Sequence, residues 1–453
     1  MLRWCKGVRH SDVLRPTFCF LDGLSVRFVR PAGLPASCPR RRTRVEAAVG
    51  KRLVFHLGGY DIMPPQAVHR RFLRELGRFQ STWTVAAEAS EPVTSEREAR
   101  WSIRTTGPNW QVATDYRLVC WDDIIAEASR RSGAWRIPQA ILAFVDFLFG
   151  GALWGYLRTN WRYAGFFLYP FLLLAGLFWI ALFAGVALGT MTGTSLVGIG
   201  AGAALFLVLL RWSGEHLFLD HLFDDWIFAR HYIRGEHPTL AARLDAAARI
   251  LCQLELNHDL DEILITGHSL GAVLAIDLLD RALRLNPKLG QGRTRVALLS
   301  IGSSIPKIAL HRGARRFRAA IARVANAPSI FWGEYQALTD LMNFYKVDPV
   351  AGMGVEGKSP VLRQVRIKAM LDPAAYRLIK RNFFRVHCQF VSANDRRAAY
   401  DYFMLVCGPF AAEDQVRSRD GAASWIDSSG ALTDPPAVEA PAPGANSLRQ
   451  ALR

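Results

Sequence analysis

The stretch from Ala164 to Leu210 contains no Asp, Glu, Lys or Arg, and it constrains the fold more than any other part of the chain. A helix that spans a bilayer needs about 20 apolar residues, so this stretch is long enough for two. The sequence GTMTGTS, from Gly189 to Ser195, supplies a turn between them. We therefore expect two transmembrane helices rather than a helical pair buried in a soluble core.

Aromatic residues and arginines flank this stretch at both ends, as interfacial anchors do. The arginines occur on both flanks, whereas the turn carries no charge, so the positive-inside rule places both flanks in the cytoplasm. We expect a multi-pass protein of bacterial inner-membrane type, with two spans and its larger part in the cytoplasm. The flanking residues are Trp161, Tyr163 and Trp212, with Arg158, Arg162 and Arg211.

The preceding segment, Ile137 to Leu157, is apolar but is interrupted by Asp146. It is either an interfacial helix or a third span. A third span would place the two flanking parts of the chain on opposite sides of the membrane, which favours two spans. We assign residues 137–212 to a membrane region with an interfacial helix and two transmembrane helices.

The net charge of the chain is +17, and more than half of this excess lies in residues 1–52. There is no basic helix with interleaved aromatics and no zinc-finger spacing, so we expect membrane lipids and not nucleic acid as partners. The seven cysteines are scattered without a CxxC pair, which argues against a disulfide framework or a zinc site. We expect residues 1–47 to be a basic disordered extension and residues 411–453, rich in Ala, Pro, Gly and Ser, to be a disordered tail.

Strands and helices alternate along the rest of the chain, which predicts an α/β fold with a mainly parallel sheet flanked by helices. Residues 48–136 would form the first part of this domain, and residues 213–410 the second. The predicted strands are Arg52 to Asp61, WTVAAEAS, ARWSIRTT, WQVATDYRLVCWDDII, Asp261 to Thr266, Arg295 to Ser304 and Ser329 to Leu338. The predicted helices are Pro65 to Phe79, Thr239 to Leu254 and one ending near Leu285. A last element, whose type the pattern does not decide, lies at Phe383 to Val391.

The sequence DEILITGHSLGAVLA places Ser269 between a strand and a helix. Gly267 and Gly271 allow a tight turn that exposes the serine side chain, and the N–H of Leu270 at the helix start is placed to stabilise an oxyanion. A serine attacks a carbonyl only when a base removes its proton and dipoles stabilise the developing charge. The pattern therefore predicts Ser269 as a nucleophile.

The motif Gly267-His268-Ser269-Leu270-Gly271 resembles the nucleophile elbow of the α/β-hydrolase superfamily, of lipase-like members especially. The resemblance implies a serine hydrolase that cleaves a carboxylic ester, a lipid among the candidates, with no cofactor and no metal. It also implies an α/β-hydrolase-like sheet, into which the two-helix transmembrane segment is inserted.

The superfamily orders its triad as serine, acid, histidine. Only His311 and His387 follow the elbow, and only His387 also follows a plausible acid, so the resemblance implies His387 as the base at a strand end. For the acid, Asp340 directly after a strand and Asp348 in a DPV turn both remain open. The loop FHLGGYD departs from the family's HGGG pattern, and the resemblance implies a second oxyanion N–H from Gly59 or Tyr60.

Two other interpretations compete with an ester hydrolase. A catalytically silent α/β-hydrolase fold would serve as a membrane interaction module. A metal-dependent membrane hydrolase would use HLFLDHLFDDW, where helical spacing pairs histidines and aspartates. Those pairs are His216 with Asp220, His221 with Asp225 and Asp220 with Asp224, with His231 nearby. The substrate and the oligomeric state do not follow from the sequence.

Overall fold

The computed structural model describes residues 48–95, 97–256 and 259–433. The basic extension predicted for residues 1–47 and the last part of the predicted tail, residues 434–453, lie outside the described residues.

One nine-stranded sheet forms the centre of the described chain, with the strand order β2-β4-β5-β1-β6-β7-β8-β9 and with β3 paired to β4. From β5 to β9 all neighbours are parallel, whereas β2, β3 and β4 pair antiparallel. The strands are β1 Lys51–Leu57, β2 Ala86–Ala89, β3 Val93–Thr94, β4 Glu98–Gly107, β5 Trp110–Val119, β6 Glu262–His268, β7 Arg295–Ile301, β8 Ile330–Gln336 and β9 Val361–Gln364.

Sixteen α-helices accompany the sheet in the described ranges. They are α1 Pro65–Trp83, α2 Asp122–Ser129, α3 Gly133–Phe149, α4 Ala152–Thr159, α5 Trp161–Thr192, α6 Ser195–His216, α7 Leu219–Arg234, α8 Pro238–Glu255, α9 Gly271–Leu285, α10 Ile305–Ala309, α11 Arg315–Ala325, α12 Ile367–Met370, α13 Pro373–Ile379, α14 Phe383–Cys388, α15 Tyr402–Cys407 and α16 Ala412–Arg417. Short 3-10 helices lie at Ala351–Met353, Gln389–Val391 and Gly421–Ser424.

The prediction of an α/β fold with a mainly parallel sheet flanked by helices is confirmed. The two central strands, β1 and β6, are apolar and almost completely buried because helices cover both faces of the sheet. One face packs against α9, α8 and α11, and the other against α1 and α15. This packing fixes the position of the loops at the ends of β1 and β6.

Three predictions about local structure are wrong. The end of the fourth predicted strand, WDDII, begins helix α2, with Asp122 and Asp123 in its first turn where acidic residues are favourable. The last element, Phe383 to Val391, is helical, so His387 lies on α14 rather than at a strand end. Residues 411–433 belong to the fold instead of a disordered tail, because α16 and the buried Trp425 pack against the sheet.

Two helices, α5 and α6, are long and apolar enough to cross a membrane, and Gly193 and Thr194 form the turn between them. Glycines let their backbones approach closely. A Cβ on Gly198 would lie 2.5 Å from the Gly185 carbonyl oxygen, and one on Gly185 would lie 2.6 Å from the Gly198 carbonyl oxygen. Small residues at such crossings are typical of helices that pack within a bilayer.

The apolar segment before α5 forms two helices, α3 and α4, with a bend of 65° between them. Among the described residues, a third span is possible only if this bent pair counts as one. Asp146, which interrupts the apolar sequence, turns towards α7 and lies 3.0 Å from the Arg234 guanidinium. The buried Ala140, Ala143 and Phe147 occupy the inner face of α3. The pair therefore packs along the α/β domain, as an interfacial helix would.

Candidate active site

The predicted site residues meet at one edge of the sheet. Strands β1, β6 and β8 are parallel, so their carboxyl ends lie at the same edge. The Gly59 loop follows β1, Ser269 follows β6 and Asp340 follows β8. Ligands and catalytic groups of parallel α/β sheets collect at this edge, because the connecting loops there converge.

Ser269 lies in a left-handed backbone conformation, with φ of 57°. Residues other than glycine rarely adopt this conformation, and its strain is characteristic of functional sites. Its backbone is held from two sides: its N–H donates to the Ile301 carbonyl at 3.0 Å, and its carbonyl accepts from the Ser304 N–H at 3.1 Å. The surrounding chain therefore fixes Ser269 in a strained turn between β6 and α9.

The two glycines of the motif are sterically required. A Cβ on Gly267 would lie 2.5 Å from the Ala272 Cα, across the turn. A Cβ on Gly271 would overlap the Leu57 carbonyl oxygen and lie 2.5 Å from that of Gly58. The start of α9 thus rests directly on the end of β1. The motif therefore forms a tight strand-to-helix turn, as the spacing of its glycines predicts.

Asp340 and His387 form a buried pair beside this turn. His387 Nδ1 lies 2.7 Å from Asp340 Oδ2, and the side chains are 4% and 0% exposed. The other Asp340 oxygen accepts from the Met342 N–H at 2.8 Å, which orients the carboxylate. A neutral imidazole that donates its Nδ1–H to this carboxylate has its lone pair on Nε2, which is the tautomer that a general base needs.

His387 packs against the elbow through its neighbours. Its carbonyl accepts from His268 Nε2 at 3.2 Å, and the two imidazole rings lie 4.5 Å apart. A Cβ on Gly302, the residue after Ile301, would lie 3.4 Å from His387 Cε1. In the described part of the chain, the buried His387 Nε2 has no hydrogen-bond partner, Ser269 Oγ included. Catalytic hydrogen bonds are often long in ligand-free sites and shorten when substrate binds.

The predicted oxyanion donors lie at the same place. A Cβ on Gly59 would be 3.0 Å from Ser269 Cβ, so the loop after β1 touches the serine. Within residues 48–95, 97–256 and 259–433, the N–H groups of Gly59, Tyr60 and Leu270 donate to no backbone carbonyl. The Tyr60 side chain packs away against Trp121. Free N–H groups on both sides of a serine are the arrangement that stabilises a developing oxyanion.

The structure separates the two candidate acids. Asp348 accepts from the N–H groups of Val350 and Ala351, at 2.7 and 3.0 Å, and so closes a turn. Asp340 alone of the two pairs with His387. His311 is the other histidine after the elbow. Its Nε2 lies 3.1 Å from the Asp146 carbonyl oxygen, so this side chain packs against α3.

Two further histidines near the site are neutral at pH 7. Burial lowers the pKa of His268 well below its ordinary value, and the neighbouring His387 lowers it further. Burial also lowers the pKa of His56 to about 3. His56 Nδ1 lies 2.9 Å from Thr266 Oγ1 and 3.0 Å from the Tyr402 hydroxyl. Both rings therefore act as neutral hydrogen-bonding groups.

A buried carboxyl group that was not predicted from the sequence lies next to the site. Glu334 on β8 accepts hydrogen bonds from the hydroxyls of Ser300 and Ser303, the second at 2.6 Å. Burial raises the pKa of Glu334 to about 7. Ser303 precedes Ser304, whose N–H holds the elbow, so Glu334 supports the elbow from the neighbouring strand. A single glutamate inside the apolar strand IFWGEYQ was the available signal.

The alternative metal cluster is divided between ion pairs. Helix α6 ends at His216 and α7 begins at Leu219, so His216 and Asp220 do not share a helical face. Asp224 accepts from Arg136 at 2.8 Å. Asp225 forms a buried ion pair with Lys307, in which Lys307 Nζ lies 2.5 Å from Asp225 Oδ2. Among the described residues, no group of three or more His, Cys, Asp and Glu side chains is arranged to hold a metal ion.

No known family model, curated protein or solved structure matches this chain. The case for a function therefore depends on the geometry of the site itself.

Proposed function

We propose that this chain is a membrane-anchored serine hydrolase of the α/β-hydrolase type that cleaves a carboxylic ester. The observation that carries the proposal is the buried Asp340–His387 pair, joined at 2.7 Å beside a serine in a strained, glycine-flanked turn. A buried aspartate that orients a histidine at a strand-turn-helix serine is the arrangement of a catalytic triad.

The chain's own residues supply each part of the acylation step. His387 Nε2 takes the proton from Ser269 Oγ as this oxygen bonds to the ester carbonyl carbon. Asp340 keeps the imidazole oriented and stabilises the imidazolium. The N–H groups of Leu270 and of Gly59 or Tyr60 bind the oxyanion. When the carbon–oxygen bond of the ester breaks, the imidazolium donates its proton to the leaving alkoxide.

Deacylation repeats these roles with water. His387 takes a proton from a water molecule as the water oxygen attacks the acyl carbon, and then returns a proton to Ser269 Oγ. The products are a carboxylic acid and the regenerated enzyme. This sequence consumes one water molecule for each ester and requires no redox partner.

Helices α5 and α6 support the membrane part of the proposal. They have the length, the apolar surface and the close glycine packing of a transmembrane hairpin. Arg158 lies just before α5, Arg162 lies in its first turn and Arg211 lies near the end of α6, whereas the turn at Gly193 is uncharged. This distribution supports a cytoplasmic hydrolase domain. The substrate is therefore expected among esters that reach a membrane, lipid esters included.

Labelling with a fluorophosphonate probe tests the proposal. The full chain in membranes should be labelled covalently, and Ser269→Ala should abolish labelling without lowering the melting temperature by more than about 1 °C. Ser329→Ala is a matched control, because Ser329 lies at the opposite end of β8 and donates to the Leu289 carbonyl. It should be labelled like the wild type.

Failure to label a folded wild-type chain would contradict the hydrolase proposal. It would favour a catalytically silent interaction module, for which the lack of a Ser269–His387 hydrogen bond would then be the functional state. Labelling that survives in Ser269→Ala would assign the reactive group elsewhere.

A further inference from the structure

We infer that the carboxyl edge of the sheet faces the bilayer, and that α3, α4 and the loop carrying Asp340 lie in the interfacial layer of that bilayer. The partner is the lipid surface around α5 and α6. The inference rests on the proposed function only in taking these two helices to span the membrane.

Both ends of the apolar hairpin are attached to the carboxyl edge of the sheet. At the start of α5, the Arg162 guanidinium donates to the Leu338 carbonyl in the loop that carries Asp340. At the end of α6, Phe218 packs against Phe384 on α14, with 4.4 Å between ring centroids. Since α14 also carries His387, the hairpin leaves and rejoins the domain beside the site.

Helices α3 and α4 are held at the same edge. The Tyr156 hydroxyl donates to the Lys307 carbonyl at 2.7 Å, and the Arg312 N–H donates to the Gly150 carbonyl at 2.8 Å. Lys307 and Arg312 both lie in the segment that follows the carboxyl end of β7. The pair therefore covers the region next to the base of the hairpin.

The outer face of this helix pair is apolar and is exposed in the part of the chain that the structure describes. Its residues recur at helical spacing, opposite the buried Ala140, Ala143 and Phe147. Phe149 is 75% exposed and Trp154 58% exposed. An apolar helix face of this extent marks an interaction site. The exposed residues are Ile141, Leu142, Val145, Leu148 and Phe149 on α3, and Trp154 and Leu157 on α4.

Continuity and charge identify the lipid surface as the partner. Only Asn160 separates α4 from α5, and the exposed Leu157 on α4 is followed by Trp161, 72% exposed, in the first turn of α5. The Arg158 guanidinium lies over the Trp154 ring, 4.8 Å from its centre, as in an interfacial anchor. Asp146 is turned inwards to Arg234, which removes the acidic charge from the outer face.

The loop carrying Asp340 completes this surface. Leu338 and Leu341 are 54% and 37% exposed on either side of the buried Asp340. Exposed leucines on a loop fixed to the base of a span fit the acyl boundary of a bilayer better than water. The site would therefore receive its substrate from the lipid side.

A labelling experiment in vesicles tests this surface. One cysteine is added at a time, as Phe149→Cys or Leu338→Cys, and carries the fluorophore NBD; Ser269→Ala is present throughout, so hydrolysis has no part in the readout. The labelled wild-type cysteines supply the background. The full chain is reconstituted in phosphatidylcholine and phosphatidylglycerol vesicles with either a shallow doxyl-labelled lipid or aqueous iodide as quencher.

Doxyl lipid should quench both positions at least twice as strongly as iodide does. Leu285→Cys is the matched control: Leu285 is 55% exposed, but it lies at the end of α9 and hence at the amino edge. This position should respond to iodide alone. Phe183→Cys, on the exposed surface of α5 at 66%, should respond to doxyl lipid.

Each other outcome would overturn the inference in a distinct way. Iodide quenching at Phe149→Cys and Leu338→Cys would place this face in water. Protection from both quenchers would place it against protein, such as a second copy. Loss of doxyl quenching at Phe183→Cys would instead contradict the transmembrane assignment, whereas failure of the hydrolase proposal would appear only in probe labelling.

Discussion

Replacement of Gly271 by alanine tests whether the elbow depends on direct contact between α9 and β1. The added Cβ would overlap the Leu57 carbonyl oxygen and lie 2.5 Å from the Gly58 carbonyl oxygen. Both obstacles are backbone atoms of the buried central strand and its loop, so they have no rotamer by which to move aside. The start of α9 or the loop after β1 must shift by about 1 Å, and such overpacking costs about 1–3 kcal/mol.

The same shift acts on the chemistry. The loop after β1 carries the Gly59 and Tyr60 N–H groups, and a displacement of about 1 Å in a catalytic arrangement lowers the rate by about 100-fold. We expect Gly271→Ala to lower the melting temperature by several degrees and to slow fluorophosphonate labelling by about two orders of magnitude.

Gly77→Ala provides a control of opposite sign. Gly77 lies in the exposed middle of α1, where no atom lies within 4 Å of an added Cβ. Alanine there gains about 1 kcal/mol of helix propensity, so the chain should become slightly more stable and label normally. Melting curves and labelling rates of the two variants are the measurements. A Gly271→Ala variant as stable and as reactive as Gly77→Ala would refute the close contact between α9 and β1.

Three other perturbations have defined outcomes. Asp340→Asn should slow probe labelling by about 10³–10⁴-fold, whereas Asp348→Asn, which keeps its turn-closing oxygen, should change it less than about twofold; equal effects would contradict the triad. Gly198→Leu should separate α5 from α6 and lower the melting temperature, while Gly200→Leu, with no atom within 4 Å of an added Cβ, should not; equal melting temperatures would contradict the packing. Burial raises the pKa of Glu334 to about 7, so the folded chain holds this proton at pH values where the unfolded chain has lost it. The free energy of unfolding should therefore fall by roughly 2 kcal/mol as the pH rises from about 5.5 to 8. Glu334→Gln should remove this dependence in denaturant titrations, and an unchanged slope would contradict it.

The tight turn at Ser269 and the two long apolar helices were predictable because each is encoded locally. Gly267 and Gly271 mark a turn by their spacing around Ser269. The uncharged stretch from Ala164 to Leu210 is longer and more apolar than helices buried in a soluble core usually are. The order serine, acid, histidine then left His387 as the candidate base. The distinction between Asp340 and Asp348 was not predictable, because both follow β8 and only the three-dimensional path of the loop decides which one reaches His387.

Long-range packing accounts for the features that the sequence analysis missed. The segment around His387 has the apolar character of a strand, yet it forms α14, whose first turn is capped by the Asn382 side chain. Residues 411–433 have the composition of a linker, but the burial of Trp425 and Val416 against the sheet outweighs that local tendency. Neither contact has a signature within its own segment.

The pairing of β1 with β6 has a consequence for how this chain is made. These neighbours at the centre of the sheet are joined along their whole length, yet β6 is synthesised only after α5 and α6. At ordinary translation rates the ribosome needs roughly 10–40 s to cover the intervening 200 or so residues. During that interval the edge of β1 that pairs with β6 is unpaired, and if α5 and α6 span a membrane as proposed, they enter it before residues 48–136 meet β6. On that proposal, insertion of α5 and α6 is expected to precede the pairing of β1 with β6, on which the tight turn at Ser269 rests.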